Sequence, residues 1–423
     1  MAKAKTASGG NAALEKAIEA DPDNLDNWSV YADWLQAQND PRGELAAVHI
    51  GLATSPKDKT LLSSEKKLFK DHADTLIGGY AKYLCKAGKK DIPSITAKVP
   101  LEPDYRESNY EGAPFHIEWR AGFIKTITVG HPGMDWSPPS SKSDDEDDEG
   151  DTGYSSYSVP KLVTEVLASP AARFMTGLRL GMPNDMEDGE CDYPPVIKEL
   201  AKQDLSRLRS LYIGDITQEE SEVSWINIGD LSKLWSQLKN LKHLTLRGGG
   251  GLKLGAINLP ELRDLTIITG GLDKKNVAAI CAAKWPKLHK LELWFGRSSY
   301  GGNVTLKDLK PILDGKAFPK LTSLGLRNCE FADELAVALS TAKITPQLKK
   351  LDLSKGTLTD TGVDAMIKAK DAFSHLQHLD LSDNYLAKSA RTATQIIPAV
   401  RTKPQRTPSE WDGEQHRYAA LGE

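Results

Sequence analysis

Apolar residues recur along this chain as apolar-x-x-apolar-x-apolar, and the hexad returns nine times in order. It reads Ile124-Ile127-Val129, Met175-Leu178-Leu180, Leu208-Leu211-Ile213, Leu241-Leu244-Leu246 and Leu262-Leu265-Ile267. It continues as Leu288-Leu291-Leu293, Leu321-Leu324-Leu326, Leu348-Leu351-Leu353 and Leu376-Leu379-Leu381. The last two apolar positions of each hexad are two residues apart, the spacing that turns both side chains to one face of a strand. Successive hexads start 51, 33, 33, 21, 26, 33, 27 and 28 residues apart, and a proline two residues ahead introduces four of them (Pro260, Pro286, Pro319, Pro346). A period of this size marks stacked strand–turn–helix units, none of which can bury its apolar face alone.

Between hexads the spacing becomes helical. Thr359 or Asp360 is positioned to cap a helix whose inner face holds Val363, Met366 and Ile367. Leu335, Val337 and Leu339 mark a second helical segment, and Val277, Ile280 and Cys281 a third. These residues resemble leucine-rich repeats from residue 124 to about 400, and the TDTGVDAMIKA segment resembles their ribonuclease-inhibitor-like subclass. The resemblance implies an α/β solenoid, a horseshoe with a parallel concave sheet and convex helices. The Asn or Cys usual after the ladder stands at Asn384 and Cys329, while Gly249, Gly270, Gly296, Gly356, Pro132, Pro183 and Ile216 take that slot elsewhere.

The first hundred residues follow another pattern. Leu14, Ala17 and Ile18 mark a short helix. Trp28, Tyr31, Ala32 and Leu35 share one face of a second, and Asp40-Pro41-Arg42-Gly43-Glu44 interrupts it. Leu45, Val48 and Leu52 begin a third, and Ser63 or Ser64 is a candidate cap for a fourth with Leu68, Phe69, His72 and Leu76. The segments Tyr31-Ala32-Asp33-Trp34-Leu35 and Asp40-Pro41-Arg42-Gly43-Glu44 resemble the bacterial repeat-companion domain, and Trp119-Arg120-Ala121-Gly122-Phe123-Ile124 resembles the stretch joining such modules to a first repeat. That resemblance brings no chemistry with it. The expected organisation is a disordered tail (1–10), a helical repeat-companion domain (11–100), a solenoid (115–400) with an acidic loop at about 137–157, and a capping tail (401–423). Pro398, Pro404 and Pro408 keep that tail from forming a regular helix, and Trp411, Tyr418 and Leu421 are placed to fold over the last repeat.

Composition narrows the function. The chain has 423 residues, 39% of them hydrophobic and 26% charged, with a net charge of −4. Seven of the 58 acidic residues lie within 144–151, which leaves 54 basic against 51 acidic residues elsewhere. That balance speaks against nucleic acid as a partner. No apolar run reaches the roughly 18 residues of a membrane helix, and the N-terminus lacks the apolar segment of a secretory signal. A cytoplasmic, monomeric protein is expected. The acidic run carries Asp145, Asp147, Glu149 and Gly150 at EF-hand positions, yet Ser156 stands where the bidentate Glu belongs, so a solvated loop is the better reading. Four scattered cysteines form no CxxC and no cluster with histidine, and the Gly248–Gly251 run lacks the Lys-Ser/Thr of a phosphate loop. No cofactor, metal or catalytic constellation is indicated.

Binding remains. Positions alternating with the ladder face the concave side, and nine units offering three side chains each match the size of a standard protein interface of roughly 20–30 residues. The candidate partner-binding residues are Tyr212, His243, Arg247, Glu292, Trp294, Phe295, Arg327, Asp352 and His378. Aromatic and Arg side chains dominate interface energetics, which favours Tyr212, Arg247, Trp294 and Arg327 among them. The expected function is non-enzymatic binding of a protein partner. The alternative is a substrate-recognition subunit or effector adaptor for an enzyme that a partner supplies.

Overall fold

A computed structural model describes residues 10–83, 85–86, 89–90, 92, 94–96, 115–131, 158–184, 191–218, 220–397, 399–411 and 413–422. The acidic loop, with its EF-hand-like positions, lies outside them, as does the N-terminal tail up to residue 9. The chain forms two compact units, residues 1–187 and 188–423.

The first unit opens with four helices: α1 (Ala12–Ala20), α2 (Leu25–Ala37), α3 (Pro41–Thr54) and α4 (Lys59–Leu76). Each begins at a side chain that takes up an orphan backbone N–H: Asn11, Asn24, Asp40 and Asp58. Two expectations shift accordingly. α3 starts at Pro41 itself, because proline suits the first helical turn, so the interruption shrinks to residues 38–40. α4 starts ahead of Ser63 and Ser64, because Asp58 accepts the N–H groups of both Thr60 and Leu61. Trp28, Tyr31, Ala32 and Leu35 are buried as their spacing requires.

A hairpin completes this core. Strands β1 (Phe115–Arg120) and β2 (Phe123–Val129) pair antiparallel around Ala121-Gly122, both at positive φ (44° and 78°). A Cβ on Gly122 would stand 2.9 Å from the Ala46 nitrogen, so only glycine lets the turn press onto α3. Phe123 therefore meets Trp28, Tyr31 and Phe174 at centroid distances of 5.8, 5.9 and 5.0 Å. Helix α5 (Val159–Leu167) follows, and strand β3 (Gly177–Leu180) lies parallel to β2 with Ile127 opposite Leu178 and Val129 opposite Leu180.

The second unit is an α/β solenoid. Helix α6 (Pro194–Leu200) leads into eight parallel strands: β4 (Ser210–Ile213), β5 (His243–Arg247), β6 (Asp264–Ile268), β7 (Lys290–Trp294), β8 (Ser323–Arg327), β9 (Lys350–Asp352), β10 (His378–Asp380) and β11 (Val400–Arg401). Helices α7 (Lys274–Ala282), α8 (Lys310–Leu313), α9 (Ala332–Leu339), α10 (Asp360–Lys368) and α11 (Ser389–Ile396) fill the returns. The ladder residues are in direct register: Leu211, Leu244, Leu265, Leu291, Leu324, Leu351 and Leu379 stand opposite one another strand by strand. All are 3% exposed or less, so the stack buries what no single repeat could. β11 extends the sheet past the last hexad, with Val400 opposite Leu379.

Details depart from the pattern where helical spacing was thin. Thr359 is the α10 cap, through the Thr361 N–H. In α9 the inner face is Leu335, Ala336 and Leu339, while Val337 is half exposed because it lies two residues from Leu335 rather than three or four. Asn384, fully buried, donates to the carbonyls of Leu353, Leu381 and Ser382 and accepts from the Leu358 N–H, stitching two repeats. After β11, strands β12 (Ser409–Trp411) and β13 (Glu414–His416) form a short hairpin. Residues 417–422 then run back along the edge of the solenoid, past the last repeat and on to earlier ones.

Candidate functional site: a charged face on the repeat sheet

Lys290, Glu292 and Trp294 alternate with the buried Leu291 and Leu293, so all three sit on the outward face of β7. Glu292 is held from three sides. Lys290 Nζ lies 3.0 Å from its Oε2, Arg327 Nη1 3.0 Å from its Oε1, and the Trp294 indole N–H donates to Oε1 at 2.8 Å. Arg327, on the next strand, also donates from Nε to Ser354 Oγ at 3.0 Å and lies 3.3 Å from Asp352 Oδ2 on the strand beyond. Its guanidinium covers the Trp294 ring at 4.2 Å from the centroid, with Lys355 Nζ at 5.9 Å. The charge pairing continues across β10 and β11, where Arg401 Nη1 lies 3.4 Å from Asp380 Oδ2.

Electrostatics follow from this crowding. Burial alone would raise the Glu292 carboxyl, but Lys290 and Arg327 more than offset it, and Glu292 lies below the usual range. Asp352 goes the other way: burial pushes it up, Arg327 and the Ser354 bonds pull against this, and the neighbouring Asp380 adds to the rise. Asp352 and Asp380 each cap the turn after their strand through the backbone N–H of Ser354 and Ser382. The result is a lattice of alternating charges that hold one another in place. It can present charge and hydrogen-bonding groups to a partner at defined positions.

The predicted residues divide. Glu292, Arg327 and Asp352 come together as described. His243 stands on β5 with Nδ1 2.7 Å from Asp264 Oδ2, both partly exposed. Tyr212 is half-buried on β4 and His378 is exposed on β10. Three assignments to the open face are corrected. Trp294 is 5% exposed, because Arg327 lies over it. Phe295 is 3% exposed, because it shares the parity of Leu291 and Leu293 and packs on Phe331 at 5.5 Å. Arg247 is also 3% exposed; its guanidinium turns under the segment that follows β4, to Ser221 O (3.4 Å) and Gln218 Oε1 (3.1 Å). These side chains are covered within the unit rather than open on the face.

Sequence reasoning missed Ser354, Ser382 and Lys355 as supports, although Leu-Asp-Leu-Ser occurs twice in register (351–354 and 379–382). Among the described residues no three His, Cys, Asp or Glu side chains group to hold a metal ion, and no helix is long and apolar enough to cross a membrane. Burial pushes the Cys281 thiol up to about 11 and raises Cys191 and Cys329, which disfavours thiolates there.

A leucine-rich-repeat family model matches residues 346–366, the stretch of β9 and the start of α10. Among solved structures the chain is similar to a crystal structure of a Bacteroides fragilis protein, at 24% identity and a TM-score of 0.55, over 64% of this chain and 74% of that one. At that identity the likeness is one of fold. None of the curated proteins matches the chain. The ladder and helices of the second unit form a solenoid of leucine-rich repeats, one of which the family model matches, and such repeats generally mediate protein–protein interaction.

Proposed function

We propose that this is a non-enzymatic bacterial interaction protein, working as a monomer in the cytoplasm, whose outward sheet face binds another protein. The observation that carries the reading is the lattice of Lys290, Glu292, Arg327 and Asp352 around the covered Trp294. Its charged groups are already paired with one another, so a complementary partner meets them at little further ordering cost. Tyr212, His243 and His378 flank that lattice as the accessible contacts. The solenoid of residues 115–400 is the binding domain in this reading, and the helical residues 11–100 are its repeat-companion domain. Support for the latter is that Tyr31, Trp34, Ala121 and Phe123, from the two resembling segments, join one core.

The test uses the intact chain and a His243→Glu/Lys350→Glu/His378→Glu variant, which alters only exposed positions of the face. Affinity capture from the native host with mass spectrometry should recover specific proteins with the parent chain and at least tenfold less of them with the variant, at equal melting temperature. Equal recovery of the same proteins by both would remove the sheet face as the binding surface. A steep loss of a nucleic-acid partner between low and moderate salt would instead identify an electrostatic nucleic-acid binder.

A further inference from the structure

The segment after β13 is held almost wholly through its main chain. The Tyr385 hydroxyl, beyond the last hexad, accepts the Tyr418 N–H at 3.0 Å, and Arg406 Nη1 donates to the Tyr418 carbonyl at 2.8 Å. Arg297 donates from Nε and Nη2 to the Ala419 carbonyl at 3.1 and 2.9 Å. The Ala420 N–H donates to the Lys355 carbonyl at 2.8 Å. Asn328 reads Leu421 with both ends of its amide, accepting its N–H at 2.8 Å and donating to its carbonyl. The Ser224 hydroxyl donates to the Gly422 carbonyl.

Apart from Arg297, whose long side chain reaches to Ala419, these partners follow reverse chain order from Tyr385 through Lys355 and Asn328 to Ser224. A residue in extended conformation advances about 3.3 Å and parallel strands lie about 4.8 Å apart, so a short extended segment reaches across several repeats. Glycines clear the track: a Cβ on Gly270 would stand 2.6 Å from the Gly422 carbonyl oxygen. Asn328 sits at φ 54°, a conformation that suits Asn and aims its amide at the strap. Ser224 and Gly270, which meet Gly422, also line a cleft of about 650 Å³ with Gly271, Lys253, Asp273, Lys275 and Tyr300. The strap thus fills one part of a longer groove.

Little apolar anchoring fixes it there. Of residues 417–422 only Ala419 and Gly422 are buried. Hydrogen bonds to the main chain of a segment that must also be ordered leave a small net gain, because the two terms are of similar size. Recognition of this kind does not depend on the owner of the chain being bound, since main-chain groups are common to every peptide.

We propose that this edge groove is a binding site for an extended peptide of another protein, and that residues 418–422 occupy it as an internal stand-in. The peptide it fits has small side chains where Ala419 and Gly422 now lie, and its continuation meets Lys253, Lys275 and Asp273 in the cleft. The site lies on the strand-end edge, beside the sheet face proposed above, and Lys355 adjoins both.

The experiment keeps the full chain. Ala420→Pro/Leu421→Pro removes the two N–H groups given to Lys355 and Asn328 and so releases the strap. A fluorescent synthetic peptide of residues 414–423 should bind this variant at least tenfold more tightly than the parent chain, read by anisotropy. Adding Asn328→Gly, which keeps the backbone conformation but deletes the amide, should weaken binding by tenfold or more. Equal or no saturable binding to a folded Pro variant overturns the proposal. Should that variant not fold, hydrogen exchange on the parent chain decides. Ala420 and Leu421 amides exchanging at least a hundredfold faster than Leu324 and Leu351 show a strap that opens locally. Exchange as slow as those strands shows a fixed structural element and overturns it.

Discussion

Residues 1–187 gather Trp28, Tyr31, Phe123 and Phe174 into one cluster assembled from helix α2, the start of strand β2 and a short helical turn. Residues 188–423 instead lay leucines in a line, each strand touching its neighbours. The first arrangement couples elements far apart in sequence through a single contact point. The second distributes stability over repeats whose loss is felt next door first. Polar interiors differ in the same way. The first unit buries a compact pair, with His49 Nε2 lying 2.9 Å from Glu65 Oε1, Nδ1 accepting the Gly122 N–H at 3.0 Å, and Glu65 also accepting from Ser94 and Ile95. The second spreads alternating charges across successive strands.

Three measurements can break or sharpen this contrast. Phe123→Ala removes a ring in contact with three others and should cost about 3–5 kcal/mol. Hydrogen exchange should show α1–α3 and the β1–β2 hairpin losing protection together; a loss confined to the hairpin would contradict a single coupled core. Leu324→Ala should cost about 2–5 kcal/mol. Its loss of protection should peak at β7–β9 and fade toward β4 and β11, whereas uniform loss through the second unit would refute nearest-neighbour stacking.

The smallest effect is in pH. Burial lowers the His49 pKa against the pull of Glu65. Burial alone would raise Glu65, but His49, Ser94 and the Ile95 N–H more than offset it, and Glu65 also lies below its ordinary value. In both cases the unfolded chain takes up protons first. Stability is therefore full above about pH 6.5, declines as His49 would titrate unfolded, and declines again below about 4.5 for Glu65. Exchange at the Gly122 amide should accelerate relative to the Leu324 amide between pH 7.5 and 5.5, and His49→Gln should flatten that ratio. A pH-independent ratio in the parent chain would place the acid sensitivity elsewhere.

Much of the fold was legible. A hexad whose apolar positions alternate can only bury them on one face, so Leu244, Leu265, Leu291, Leu324 and Leu351 were bound to align. The caps were less so: Asp58 outcompetes Ser63 because it reaches two N–H groups, a choice that spacing does not reveal. The candidate site was half legible. Parity placed Glu292, Arg327 and Asp352 on the outward face, and the same parity rule assigns Phe295 to the interior with Leu293.

The one-dimensional pattern determined the alternation of strand and helix, the register of the ladder and the polar character of the sheet face, because these depend on neighbours a few residues away. Only the tertiary structure decided that Arg327 lies over Trp294, that Arg247 turns under the 217–223 loop, and that Gly122 docks on α3. It alone laid residues 417–422 along the edge of the repeats. Long side chains and turns settle where distant segments leave them space and partners, and periodicity holds no record of which distant segments those are.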